Sequence, residues 1–246
     1  MEPIIAVVAA VGGYLIGSIS FARIVARVAD PAADISRTET VVGPGNQFSS
    51  GMISATAVRV NVGARYGIIT ALLDMLKVFV PTLAFRLLYP DQPYDLIVAT
   101  SALIGHDWPI YYRFVGGRGE TAILGGLAAL DPVGLALMLT LGMIVGFLAG
   151  NILALRWAGL ILMIPWVWST TGDALFVAYI VFALLVYLYA ILPELRQYLA
   201  FRAQLAAPTN EDVARELGMG AGLGRAMDRY SIPGIIGRLR RPSHSD

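Results

Sequence analysis

A chain of 246 residues that is 57% hydrophobic and only 14% charged, with a mean hydropathy of +0.69, falls well short of the roughly 25% of charged residues usual in soluble domains. A lipid-facing exterior accounts for that deficit, and 18 basic against 17 acidic residues give no whole-chain attraction to nucleic acid. Cysteine is absent, which excludes disulfides, thiolate metal sites and a cysteine nucleophile while leaving serine and histidine chemistry open.

Apolar runs occur near 4–27, 64–88, 94–112, 132–150, 154–170 and 173–192, with a shorter one at 119–130. A helical crossing takes about 20 residues. The short run is therefore expected to be a half-helix, broken from its successor by Asp131-Pro132, and such broken helices line sites rather than lipid. The fold class expected is an all-α polytopic transmembrane bundle of about seven spans, the short one included. The first run follows Glu2 and carries no small-residue cleavage site, so it is expected to be retained.

Seven alternating spans put Arg27, Arg37, Arg59, Arg113, Arg118, Arg156 and the tail on one face. The other receives Arg86 at its edge with Asp91, Asp95, Asp131 and Asp173. Basic residues stay cytoplasmic in short loops, so the N-terminus is expected outside and the C-terminus inside. The domain organisation expected is a membrane domain, 1–195, and a cytoplasmic tail, 196–246. Trp108, Trp157, Trp166 and Trp168 lie near span ends, as interfacial anchors do.

Four polar constellations interrupt the apolar pattern. In the loop 30–63, Gly43, Gly45 and Asn46 are followed by Ser54 and Thr56; glycines let amides approach an anion and hydroxyls add donors, although an ordinary turn-rich loop fits the same letters. Asp74 and Lys77 stand i to i+3 within an apolar run. Each charge costs roughly 2.5 to 3.5 kcal/mol near a bilayer centre, so they are expected to face protein and pair, structurally or catalytically. Gly105-His106-Asp107-Trp108-Pro109 closes the third run, and His106 is either a structural histidine or an acid, base or phosphate donor. Finally, Gly116-Gly117-Arg118-Gly119 leads into the short run. Glycines clear space there, helix-start amides point outward and Arg118 can fork onto a phosphate; a loop that only anchors topology is the rival reading. His244 offers no partner by position, and no metal site is expected.

In the tail, Gly218, Gly220, Gly222 and Gly224 alternate without the strand and helix of a nucleotide fold. Thr209 to Asp212 can open a capping box, and Arg238, Arg240 and Arg241 beside Ile235 and Ile236 suit anionic lipid as well as they suit a solvated tail.

The order of these features resembles the bacterial acyl-phosphate:glycerol-3-phosphate acyltransferases, the PlsY family, over roughly residues 8–200. Gly17-Ser18-Ile19 is similar to its first-span signature, Leu73-Asp74-Met75-Leu76-Lys77 to its Leu-Asp-x-x-Lys, and Gly105-His106 and Gly116-Gly117-Arg118-Gly119 to its Gly-His and Gly-Gly-Lys-Gly. The departures are Arg118 for lysine, Glu120 where an apolar residue is usual, about six extra residues before Ile53, and Ile191 and Glu194 in place of a His-x-x-Asn element. The resemblance implies acyl transfer from acyl phosphate to glycerol-3-phosphate in a bacterial cytoplasmic membrane, with no cofactor. It implies His106, Asp74 and Arg118 in catalysis, and substrate binding by Gly43, Gly45, Asn46, Ser54, Thr56, Lys77, Gly116, Gly117 and Gly119. The alternatives are a family member with a changed acceptor or no catalysis, and a membrane protein that binds or transports lipid precursors. Oligomeric state is not legible from the letters.

Overall fold

The computed structural model describes residues 1–36, 38–41, 47–50, 53–202, 209–211, 214 and 221–239. Gly43, Gly45 and Asn46 lie outside the described residues. The apolar runs become helices in the order expected. Helix α1 (Pro3–Gly17) starts on a proline, whose missing N–H costs nothing in a first turn. It is followed by α2 (Phe21–Ala29), α3 (Ala55–Asn61), α4 (Ala64–Leu88) and α5 (Tyr94–Asp107). Beyond a single turn at Ile110–Tyr112 come α6 (Glu120–Leu130), α7 (Pro132–Ala149), α8 (Ile152–Thr171) and α9 (Ala174–Arg202). Two short helices, α10 (Ala221–Tyr230) and α11 (Ile232–Leu239), belong to the tail. Helix α9 runs through residue 195 without a break.

Two details go beyond the sequence pattern. The first run is two helices, because the chain leaves helical geometry at Ser18–Ser20; Ser18 Oγ donates back to Tyr14 O at 2.8 Å. The turn-rich loop carries an antiparallel hairpin, β1 (Thr38–Val41) with β2 (Gln47–Ser50), Thr38 opposite Ser50. It is a small appendage on a helical protein.

Among the described residues four helical stretches are long and apolar enough to cross a membrane, namely Pro3–Ala29, Ala64–Leu88, Pro132–Ala149 and Ala174–Pro193. Helix α6, with 11 residues, reaches only about 16 Å at 1.5 Å per residue and cannot cross alone. Large side chains such as Ile4, Val7, Val8 and Val11 on α1, Ile68 and Leu72 on α4, and Leu137, Ile144 and Leu148 on α7 are exposed. In water this belt would be untenable; in a bilayer it is the contact surface of a multi-pass membrane protein.

Inside, small residues set the distance between helices, since lipid supplies no hydrophobic drive for helix association. Gly13 and Gly17 bring α1 against the backbone of α5 at Val98 and Ala102, and Gly105 of α5 meets the carbonyl of Tyr14. A Cβ at Gly13 would stand 2.8 Å from Val98 O. The apolar core lies among α5, α6, α8 and α9, where Leu103, Ile123, Leu127, Met163, Val167 and Tyr187 are buried. Trp157 and Trp166 serve this core as well as the surface, donating to Tyr187 Oη at 3.2 Å and to Asp131 Oδ2 at 2.8 Å. Asp131 also caps α7 through Gly134 N at 2.8 Å.

The helices alternate in direction, so their turns gather at two ends. Residues 86–96, 130–131 and 166–175 surround one cavity of about 900 Å³. At the other end the break at 18–20, the start of α3 and the stretch 105–119 come together.

Candidate active site

Asp74 and Lys77 project from one face of α4 toward the interior, and both are buried. Lys77 Nζ lies 2.8 Å from Asp74 Oδ1 and donates to Ile19 O at 2.6 Å. That acceptor exists because the helix is broken at 18–20: a carbonyl freed from the helical ladder becomes the second partner of a buried ammonium. The pairing expected of these two charges is thus present, with a backbone group as third member.

His106, at the end of α5, has Nδ1 3.6 Å from the same carboxylate oxygen of Asp74. Its carbonyl accepts from Gly117 N at 3.1 Å, and the carbonyl of Gly116 accepts from Ile53 N at 3.2 Å. The glycine loop is pressed onto the end of α5 so closely that a Cβ on Gly117 would strike His106 Nε2, and one on Gly116 the carbonyl of His106. Glycine is required at both positions by space.

The approach to this loop is conformationally demanding. Arg113 and Phe114 have φ of 53° and 61°, and Gly119 has φ of 82°. Left-handed geometry costs a residue with a side chain roughly 1–2 kcal/mol. The turn is held by Phe114 N donating to Pro109 O at 3.0 Å, and by Arg23, whose Nη2 donates to Val115 O at 3.0 Å while its guanidinium lies 4.4 Å from the Tyr112 ring centre. Gly119 then opens α6 without a side-chain cap, so the first-turn amides and the positive helix end face outward.

Ser54, Thr56, Asp74, His106, Arg118, Gly119, Glu120 and Thr121 line one small cavity of about 50 Å³ at this point. A second of about 10 Å³ is bounded by residues that include Ser18, Ile19, Asp74, Lys77, His106 and Gly117. Asp74 and His106 belong to both. Ser54 is simultaneously the cap of α3, accepting from Ala57 N at 3.3 Å. Asp74, Lys77, His106, Ser54, Thr56, Arg118, Gly116, Gly117 and Gly119, from four separate stretches of sequence, are therefore neighbours.

Three contributors had no role assigned from sequence. Arg23 lies inside the first apolar run, outside the four polar constellations. The carbonyl of Ile19 is invisible without the helix break. Asp107 is 3% exposed, and its two carboxylate oxygens lack hydrogen-bond partners among the described residues. A Cβ on Gly119 would stand 2.8 Å from its Oδ2. The only sequence signal was a carboxylate closing an apolar run beside a histidine.

Chemically, helix-start amides, a guanidinium and three hydroxyls surround one space whose wall also carries the carboxylates of Asp74 and Glu120; the donors are those of a phosphate site. The imidazole–carboxylate pair beside it can hold or move a proton.

Comparisons with known proteins bear on this arrangement. A family model described as glycerol-3-phosphate acyltransferase matches residues 7–199. A glycerol-3-phosphate acyltransferase of Neisseria meningitidis serogroup C is 34% identical over 182 residues, covering 68% of this chain and 84% of its own length. One from Halalkalibacterium halodurans is 34% identical over 139 residues, 55% of this chain and 62% of its own length; one from Herminiimonas arsenicoxydans is 38% identical, with 61% of its length matched. The match thus spans about three fifths of these last two relatives. In three dimensions the chain is similar to a crystal structure of PlsY, an integral membrane glycerol 3-phosphate acyltransferase, in its glycerol 3-phosphate form. The TM-score is 0.66 at 23% identity, over 80% of this chain and 93% of that one. With its helical fold, its glycine loop and the extent of that match, the chain belongs to the glycerol-3-phosphate acyltransferase family.

Proposed function

We propose that this protein transfers a fatty acyl group from an acyl phosphate to glycerol-3-phosphate in a bacterial cytoplasmic membrane, yielding lysophosphatidic acid and inorganic phosphate. The observation that carries this reading is the convergence of Arg118, the uncapped start of α6, Ser54 and Thr56 with the His106–Asp74 pair around one cavity. The acceptor hydroxyl oxygen bonds to the acyl carbon, the carbon–oxygen bond to phosphate breaks, and the hydroxyl proton leaves with the base or the departing phosphate. An acyl phosphate is an activated anhydride, so the protein's share is holding two anions in line and stabilising developing charge. Arg118 and the loop amides hold phosphate, Ser54 and Thr56 add donors, and Asp74 orients His106. Lys77 secures Asp74 and the break at Ile19.

The orientation that goes with this reading has seven helical passes, the N-terminus outside, and residues 1–195 as the membrane domain ahead of a cytoplasmic tail, 196–246. It is supported by the alternation of the helices and by Arg59, Arg113 and Arg118 sharing the site end. The test is phosphate release from palmitoyl phosphate by purified protein, which must depend on added glycerol-3-phosphate. A second reading, a changed acceptor, is favoured by one observation: the carboxyl-bearing Glu120 lines the same cavity as Arg118, an arrangement that opposes a second dianion. Phosphate release stimulated by other polyols or lipid alcohols, and not by glycerol-3-phosphate, would select it.

A further inference from the structure

The tail helices lie beyond residue 199, where the family match ends, and they form a built unit. Asp228 of α10 accepts from Asn210 N at 3.1 Å, Asn210 Nδ2 at 2.8 Å and Glu211 N at 3.2 Å. Arg225 pairs with Glu211 at 2.7 Å. Met227 and Ala214 are fully buried. The unit is fastened to the end of α7: Asn210 Nδ2 also donates to Gly150 O at 3.0 Å, and Ser231 and Pro233 sit directly over Gly150, where a Cβ would stand 2.7 Å from Ser231 Oγ. Gly150 has φ of 63°, so a side chain there is disfavoured twice, by conformation and by this contact.

The attachment leaves one face of α11 uncovered. Ile232, Ile235 and Ile236 fall within one stripe of the helix and are 53%, 42% and 43% exposed, next to Tyr230 at 54%. The anchor point, Gly150, is the left-handed residue that caps the C-terminal end of α7, the helix whose Ile144, Val145 and Leu148 form part of the lipid-facing belt. Residues 221–246 carry five arginines against two aspartates, with Arg225 and Arg229 exposed on α10 and Arg238, Arg240 and Arg241 following in sequence.

We propose that α10 and α11 form an interfacial lipid-binding device, in which the isoleucine stripe of α11 enters the bilayer surface beside α7 and the arginines bind anionic headgroups. An apolar stripe with neighbouring arginines is the composition of in-plane membrane helices. Here the depth is set by the Gly150 attachment, which continues the apolar belt of α7 onto the tail.

The absence of cysteine makes single-site labelling clean. The full chain, one copy per nanodisc, would be labelled with an environment-sensitive fluorophore at Ile235→Cys, Ile236→Cys or Gly222→Cys, the last on an exposed, open position of α10. The discs would hold phosphatidylcholine alone or mixed equally with phosphatidylglycerol. Probes at 235 and 236 are expected to emit as in hydrocarbon and to be quenched by shallow spin-labelled lipid several-fold more strongly than the probe at 222. The difference should grow with phosphatidylglycerol and shrink at high salt. Probes at 235 and 236 as wet as that at 222 overturn the proposal. Shielding that occurs only in discs holding two copies overturns it in favour of a second copy of the chain, and shielding identical in both lipids overturns the assignment to anionic headgroups.

Discussion

The two ends of the bundle use carboxylates in opposite ways. At the far end Asp131 caps α7 and accepts from Trp166, while Asp173 caps α9 through Leu175 N at 2.8 Å and Phe176 N at 3.2 Å. These oxygens are occupied by amides and an indole of the fold itself. At the site end Asp74 is shared between an ammonium and an imidazole, and the oxygens of Asp107 meet no hydrogen-bond donor among the described residues. Carboxylates that terminate helices stabilise structure, whereas carboxylates set against charges store electrostatic energy for chemistry. Cavity size points the other way, since the far end holds about 900 Å³ and the site about 50 Å³. Volume and residue chemistry therefore point to opposite ends of the bundle.

The sharpest way to break this contrast is Arg118→Ala. Removing a donor aimed at developing charge costs on the order of 10²–10³ in rate, and acyl transfer measured by phosphate release should fall that far while membrane insertion stays normal. Arg118→Lys should recover part of it, because the charge survives and the fork does not. Parental turnover by the alanine variant would remove the site from this end of the molecule.

Gly117→Ala comes next in size. Its Cβ would strike the His106 ring, and displacement of a catalytic group by about 1 Å can cost about 10² in rate. The expected signature is a fall in kcat with little change in thermal stability, because the ring moves and the core does not. Unchanged kcat would mean that the position of His106 is immaterial.

At the far end the opposite split is expected. Asp131→Ala removes a helix cap and the partner of Trp166, and should lower stability by about 1–2 kcal/mol with kcat unaltered in detergent or bilayer. A loss of activity without a loss of stability would erase the distinction between the ends.

The smallest effect expected is at Glu120, which shares a cavity with Arg118. Neutralising it in Glu120→Gln should lower the KM for glycerol-3-phosphate a few-fold, since one negative charge no longer opposes the phosphate. A large fall in kcat with KM unchanged would instead make Glu120 a participant in proton transfer.

The order of the helices, the i to i+3 charge pair on α4 and the glycine loop before α6 were all legible in the letters, because hydrophobic length, helical spacing and glycine content act within a few residues of where they are read. The departures of Arg118 and Glu120 were equally plain. Only the tertiary structure decided that Ser54 and Thr56 stand beside His106 and Arg118, that the first run breaks at Ser18–Ser20 to offer Ile19 O to Lys77, that Arg23 braces the glycine loop, and that the tail is fastened at Gly150. The assembly of the site depends on how closely α1 approaches α5 and α4 approaches α6, which is set by backbone contacts at Gly13, Gly17 and Gly105 and at Gly125 against Met75. Such a contact is a property of two surfaces at once, and a pattern read along one strand of sequence carries only half of it.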